Sequence, residues 1–211
     1  MTRPVCHSQA VGTGLGDGTD RRPVVAMVGR PNVGKSTFLA RASRRFVETA
    51  NAPGTTLGLE RRLVTVGGRE AWLVDLPGTR SLDDEPAGDD PFWMYLLEAA
   101  PDAILVVADA GNLARHLPLA LACRDLGLPV VLAANLTDEA EKRGIAVDAG
   151  RLGQLFNAPA HATCGRTGEN VDAALGDAVR LATVRRAVKS GGSSPRSTIP
   201  APVYAYPLEQ R

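Results

Sequence analysis

PVVAMVGRPNVGKSTF, residues 23–38, decides the fold. An apolar run of strand length ends at Gly29, and Gly34-Lys35-Ser36 follows four residues later. Gly29 through Ser36 fills every fixed position of the phosphate-binding loop pattern that joins a strand to a helix. Glycines at both ends let backbone N–H groups turn inward around phosphate oxygens. Lys35 brings a positive charge to the terminal phosphates, the Ser36 hydroxyl can ligate magnesium, and the helix beginning here adds its positive end. Val33, Gly34 and Thr37 are further candidate nucleotide contacts in and beside the loop. The chain has three lysines, Lys35, Lys142 and Lys189, so the one inside this loop stands out.

Outward from the loop, short apolar runs alternate with helical patterns. Strands are predicted at Pro23–Val28, Leu59–Val66, Ala71–Asp75, Ala103–Asp109, Val130–Ala134 and Ala158–Thr163. Helices are predicted at Lys35–Arg45, Pro91–Ala99, Leu113–Leu126, Asp138–Arg143, Asp148–Phe156 and Glu169–Arg185. The turn signal "GGR" between the second and third strands predicts an antiparallel hairpin. Runs such as "ILVV" suit strands buried on both faces. The expectation is an α/β fold: a six-stranded, mainly parallel sheet with one antiparallel strand and helices on both faces. Residues 1–22, Gly-rich and without periodicity, read as a flexible arm. Residues 23–184 read as the folded domain, and 185–211, dense in Gly, Ser and Pro, as a tail or linker.

Composition excludes several classes. The 211 residues are 44% hydrophobic with a net charge of +1, which gives no bias toward nucleic acid or an acidic membrane surface. Cys6, Cys123 and Cys164 lie far apart, which argues against a disulfide framework or zinc site. No run approaches a membrane span and the N-terminus lacks the apolar segment of a secretory signal. The expected location is the cytoplasm. His7, His116 and His161 are scattered and receive no ligand role, and the acidic run 83–90 reads as a solvated loop.

In parallel sheets ligands sit at the carboxyl ends of strands, so those residues carry the rest. Asp75-Leu-Pro-Gly78 follows the third strand. Asp75 can hold the magnesium shell and the Gly78 N–H can meet the terminal phosphate. Asn135-Leu136-Thr137-Asp138 follows the fifth strand. The Asp138 carboxylate can accept from guanine N1–H and the exocyclic amine, a donor pair that adenine lacks; read alone, Asp138 would be a helix N-cap. After the sixth strand comes "TCGRTG", 163–168, where a backbone N–H at Cys164-Gly165, most naturally that of Gly165, would meet the guanine carbonyl. Between the first helix and second strand, Thr56, or alternatively Thr55, would complete the magnesium shell. The four elements in this order imply a GTPase acting on GTP to give GDP and phosphate.

The set "GRPNVGKST … APGTT … DLPGTRSL … NLTDEAEKRGI … TCGRTGENVD" resembles bacterial translation-factor-like G domains. More narrowly, residues 23–184 resemble the cytosolic G domain of the FeoB family of ferrous-iron transporters, on "DLPGTRSL", the stretch from Pro101 to Asp148, and "TCGRTGENVD". The resemblance implies a Ras-like sheet, GTP and Mg2+ binding, slow hydrolysis coupled to iron uptake, and a membrane transporter portion as partner at the cytoplasmic face of the inner membrane. Potassium-stimulated relatives carry an asparagine where Asn32 stands, so the resemblance favours a K+ role for it over a turn role. The chain departs from the family at Ala52, where Trp is common, and at Cys164-Gly165, where Ser-Ala is usual. Thr79 occupies the place of the water-orienting glutamine of many GTPases, which implies slow turnover; the Arg80 after it reads as a surface residue. Two other classes share "GRPNVGKST" or the fold: an RNA-linked G domain of ribosome assembly or tRNA modification, and a nucleotide-binding module without turnover.

Overall fold

The computed structural model describes residues 20, 22–42, 46–51, 59–78 and 91–191. Seven strands form one sheet: β1 (Val24–Val28), β2 (Phe46–Asn51), β3 (Glu60–Val66), β4 (Arg69–Asp75), β5 (Ala103–Asp109), β6 (Val130–Asn135) and β7 (Ala160–Ala162), in the order β2-β3-β4-β1-β5-β6-β7. The helices are α1 (Lys35–Ala42), α2 (Pro91–Met94, continuing as a π-helical turn Tyr95–Ala99), α3 (Leu113–Asp125), α4 (Thr137–Lys142), α5 (Ala149–Phe156) and α6 (Val171–Gly191). The six expected strands are all present. β3 is antiparallel to both its neighbours, β2 and β4, so it alone runs against the rest. The seventh strand, β2, is the addition: it extends the edge by pairing with β3 through a bulge between Phe46 and Glu48. The hairpin closes at Gly67 and Gly68, both at positive φ, 57° and 73°, as a two-residue turn between twisted strands requires.

The core divides along the two faces of the sheet because strand residues alternate. On one face Ile104, Val106 and Ala108 pack with Phe92, Leu96, Leu119 and Leu132. On the other Leu105 and Val107 pack with Met27, Phe38, Leu73 and Leu175. All of these are fully buried or nearly so. A parallel sheet covered on both faces leaves its strand ends as the open places, and the loops of interest fall at the carboxyl ends.

The opposite, amino-terminal edge is held by charge. Asp102, 1% exposed, accepts from the Val24 N–H at 3.0 Å and pairs with Lys189 at 3.0 Å and Arg186 at 3.6 Å. α6 therefore continues to Gly191, six residues past Arg185 and into the segment assigned to a tail. Asp20, assigned to the arm, is also docked: it accepts from Trp72 Nε1 at 2.5 Å and pairs with Arg22 at 2.9 Å. The Arg61 guanidinium lies 4.1 Å over the Trp72 ring. Burial raises the Asp20 pKa, but hydrogen bonds from Arg22 and Trp72 outweigh it and bring it to about 2. This anchor is complete above the ordinary carboxylate pKa of about 3.9 and is lost as pH falls through about 2. Among the described residues, no helix is long and apolar enough to cross a membrane. The rest of the arm and tail, residues 1–19 and 192–211, lie outside the described residues, as do Thr55, Thr56, Thr79, Arg80 and the acidic run.

Candidate guanine-nucleotide site

The loop from Gly29 to Ser36 leaves β1 and enters α1, whose first hydrogen bond runs from the Phe38 N–H to the Gly34 carbonyl at 2.9 Å. Gly34 sits at φ +77°, and a Cβ there would lie 2.6 Å from Asn135 Nδ2. No other residue fits both the backbone angle and the approach. Val33 is buried, and its role is through the backbone, since its carbonyl accepts from Asn135. Ser36 and Thr37 stand at the start of α1, both exposed. Asn32, exposed, has φ +66°, a conformation asparagine tolerates better than most side chains.

Lys35 crosses from the loop to the end of β4. Its Nζ donates to Asp75 Oδ1 at 2.5 Å and to the Leu76 carbonyl. Asp75 is partly buried at the strand end and faces the loop, and Gly78 lies against the backbone of Gly29, Arg30 and Pro31. The lysine, the carboxylate and the glycine thus converge on one spot. A serine hydroxyl and a carboxylate are hard oxygen donors that suit a divalent cation of the magnesium type.

Asn135 points inward from the end of β6. Its side chain is fully buried. Nδ2 donates to the Val33 carbonyl at 2.9 Å, while Oδ1 accepts from the Gly165 N–H at 2.9 Å and the Thr163 hydroxyl at 3.2 Å. It is a brace between the phosphate loop and the loop after β7. The Gly165 N–H, the expected partner of the guanine carbonyl, donates to Asn135 in this brace. The Cys164 N–H is likewise engaged, donating to the Glu169 carbonyl at 3.1 Å. Gly165 itself has a packing reason: a Cβ there would lie 3.0 Å from the Phe38 nitrogen near the start of α1.

Leu136 takes φ +65° at the start of α4, and its side chain reaches the open face of Gly34. A leucine in the left-handed region costs on the order of 1–3 kcal/mol, a cost common where a loop is shaped for a ligand. Two residues on, Asp138 is held by Arg166, with Nε at 2.8 Å and Nη2 at 2.6 Å from one carboxylate oxygen. The Arg166 hydrogen bond lowers the Asp138 pKa, against a small opposing effect of burial and with help from the Cys164 thiol. Asp138 therefore stays ionised, as an acceptor for two guanine donors must. Cys164 is buried and adds a weak donor beside that carboxylate.

Arg166 was not singled out by the sequence; only the fold brings it across 28 positions to Asp138. Because it holds the carboxylate that a base would need, Arg166→Ala is expected to speed GDP association about threefold, the scale of a solvent-exposed ion pair. Stopped-flow with a fluorescent GDP analogue measures this, and slower association in the variant would mean that Arg166 assists the base.

Comparison with known proteins agrees with this geometry. The family described as ferrous iron transport protein B, in its FeoB N-terminal part, matches residues 23–178. The chain belongs to the FeoB family. The Fe(2+) transport protein A/Fe(2+) transporter FeoB fusion protein of Porphyromonas gingivalis is 38% identical over 148 residues, 70% of this chain and 18% of that protein. The Fe(2+) transporter FeoB of Synechocystis is 31% identical over 156 residues, 74% of this chain and 25% of that protein. This FeoB chain thus spans a quarter or less of the length of these relatives. Among solved structures, the G domain of the T. maritima FeoB iron transporter superposes with a TM-score of 0.64 at 31% identity, covering 76% of this chain and 99% of that one. A GDP-bound point mutant of the S. thermophilus FeoB G-domain gives 0.63 at 28% identity, covering 77% and 62%. The fold of this FeoB chain is that of a G domain, and the RNA-linked reading is not favoured.

Proposed function

We propose that this FeoB G domain binds GTP and hydrolyses it slowly to GDP and phosphate at the cytoplasmic face of a membrane, where its nucleotide state governs ferrous-iron uptake by a transporter portion. The observation that carries the reading is the Asn135 brace, which holds the phosphate loop and the base loop in one unit with Asp138 beside it. The GDP-bound relative supports the choice of nucleotide.

The roles follow from position. Lys35 leaves Asp75 and the Leu76 carbonyl to meet the β- and γ-phosphates, and the backbone N–H groups of 32–37 cradle them. Ser36 and Asp75, with Thr56, would hold magnesium, which would supply positive charge to the phosphate oxygens. The Gly78 N–H fixes the terminal phosphate. Asp138 accepts from the guanine N1–H and amine, and the Gly165 N–H leaves Asn135 to meet the guanine carbonyl. With Thr79 in the glutamine position, switch-loop backbone orients the attacking water, and turnover is slow.

Single-turnover GTP hydrolysis tests this reading. Protein in excess should convert bound GTP to GDP in a Mg2+-dependent way while leaving ATP untouched. Binding without conversion would leave a regulatory module in its place.

Asn32 is the proposed potassium ligand, through its exposed amide oxygen. Wild type is expected to turn over several-fold faster in potassium than in sodium buffer. Asn32→Gly removes the amide but adopts φ +66° freely, so it should run at the sodium rate in both. Asn32→Ala adds about 1–2 kcal/mol of backbone strain and is the poorer probe. Potassium stimulation that survives in Asn32→Gly removes the ion role.

A further inference from the structure

A second polar cleft lies beside the phosphate loop. It has a volume of about 390 Å³ and is lined by Arg30, Pro31, Asn32, Asp109, Asn112, Arg115 and His116. β1 and β5 are neighbours, so Arg30 after one and Asp109 at the end of the other meet, and α3 brings His116 over them. Gly34, Lys35 and Ser36 do not line it.

Two of its side chains are unusual. Arg30 is 8% exposed and His116 is 7% exposed. Arg30 Nε and His116 Nδ1 are buried polar atoms without a hydrogen-bond partner among the described residues. A guanidinium is always charged, and leaving its donor buried and unpaired is costly. Native proteins satisfy nearly all such groups, so an orphan pair lining one cleft marks a place for a ligand. The sign of the charge says which kind. Two arginines, Arg30 and Arg115, and one carboxylate, Asp109, line the cleft, and Asp109 spends Oδ1 on the Gly111 N–H at 2.8 Å.

We propose that this cleft binds a small multivalent oxyanion, a carboxylate or phosphate compound, between Arg30 and His116, beside the nucleotide site with which it shares Asn32. The Arg30 Nε–H and a His116 ring N–H donate to it, and Asn112 and Arg115 close the open side. An arginine fork suits either anion. Burial lowers the His116 pKa; Arg30 and Arg115 add to this and Asp109 opposes it. A bound anion counters the two arginines and favours imidazolium. Affinity therefore rises as pH falls through the His116 titration.

The test reads His116 directly. The ring resonances of the full chain, saturated with GDP and Mg2+ to fill the phosphate loop, are followed by NMR during titration with inorganic phosphate or with citrate at constant ionic strength. A saturable shift with a dissociation constant of about 1 mM is expected, together with a raised His116 pKa. Whichever titrant acts identifies the anion class. Arg115→Ala, at an exposed position, should weaken binding about threefold, and Arg30→Gln at least about tenfold. Resonances unmoved by about 50 mM of either anion would overturn the proposal. So would a shift that Arg30→Gln and Arg115→Ala both leave intact. His116 reports on this cleft whether or not the chain binds GDP, so failure of the nucleotide reading would be seen separately.

Discussion

Asn135→Ala is expected to lower thermal stability and GDP affinity together. The substitution leaves the Val33 carbonyl, the Gly165 N–H and the Thr163 hydroxyl without their partner in a fully buried place. Each orphaned group costs about 1–3 kcal/mol, and partial relaxation brings the sum to about 3 kcal/mol. For a domain of this size that is a fall in Tm of about 6–12 °C. GDP affinity should fall about a hundredfold, because the phosphate loop and the base loop no longer hold a fixed spacing. Asn135→Asp is the sharper control. It keeps Oδ1 for Gly165 but sets a carboxylate oxygen against the Val33 carbonyl, so it should be no more stable than the alanine variant. A scanning-calorimetry trace unchanged in both would show that the brace contributes nothing.

Asp138→Ala should weaken GDP binding about a thousandfold while leaving Tm within about 1 °C. Two charge-assisted hydrogen bonds to the base are removed, and the partners lost within the protein are the exposed Arg166 and the weak donor Cys164. Asp138→Asn makes the chemistry specific. An amide offers one acceptor and one donor group where guanine requires two acceptors. Xanthine carries a carbonyl in place of the exocyclic amine, so the amide introduced by Asp138→Asn would serve it better. Competition between GDP and XDP should therefore invert in this variant. Equal preference for GDP in wild type and variant would mean that Asp138 is a helix cap and not a base reader.

The parts legible in the sequence are those where one local pattern suffices. The continuous apolar runs of β1, β5 and β6 are buried on both faces, and their strand bounds follow the runs within a residue. The phosphate loop needs only its own spacing. β2 was hidden because Phe46–Asn51 carries a bulge that breaks the two-residue alternation. The last turns of α6 were hidden because charge holds them. Lys189 and Arg186 are fixed by Asp102, more than 80 positions earlier, and no local periodicity records that. The same limit applies at the site. The motif through Asn135 and Asp138 gives its place at a strand end, but Asn135 turns inward because Val33 and Gly165 present a carbonyl and an amide to it. Arg166 and the Arg30–His116 cleft arise from side chains brought together by the sheet order alone.

The charged clamp at the amino-terminal edge of the sheet fixes where this domain is handled from. Asp20, at the start of the described chain, receives a hydrogen bond from Arg186 of α6 at 3.4 Å, and Lys189 of the same helix is pinned to Asp102. Chain entry and chain exit therefore share one pole, and the nucleotide loops occupy the other. A load applied at Asp20 or at the end of α6 is borne first by the roots of β1 and β5.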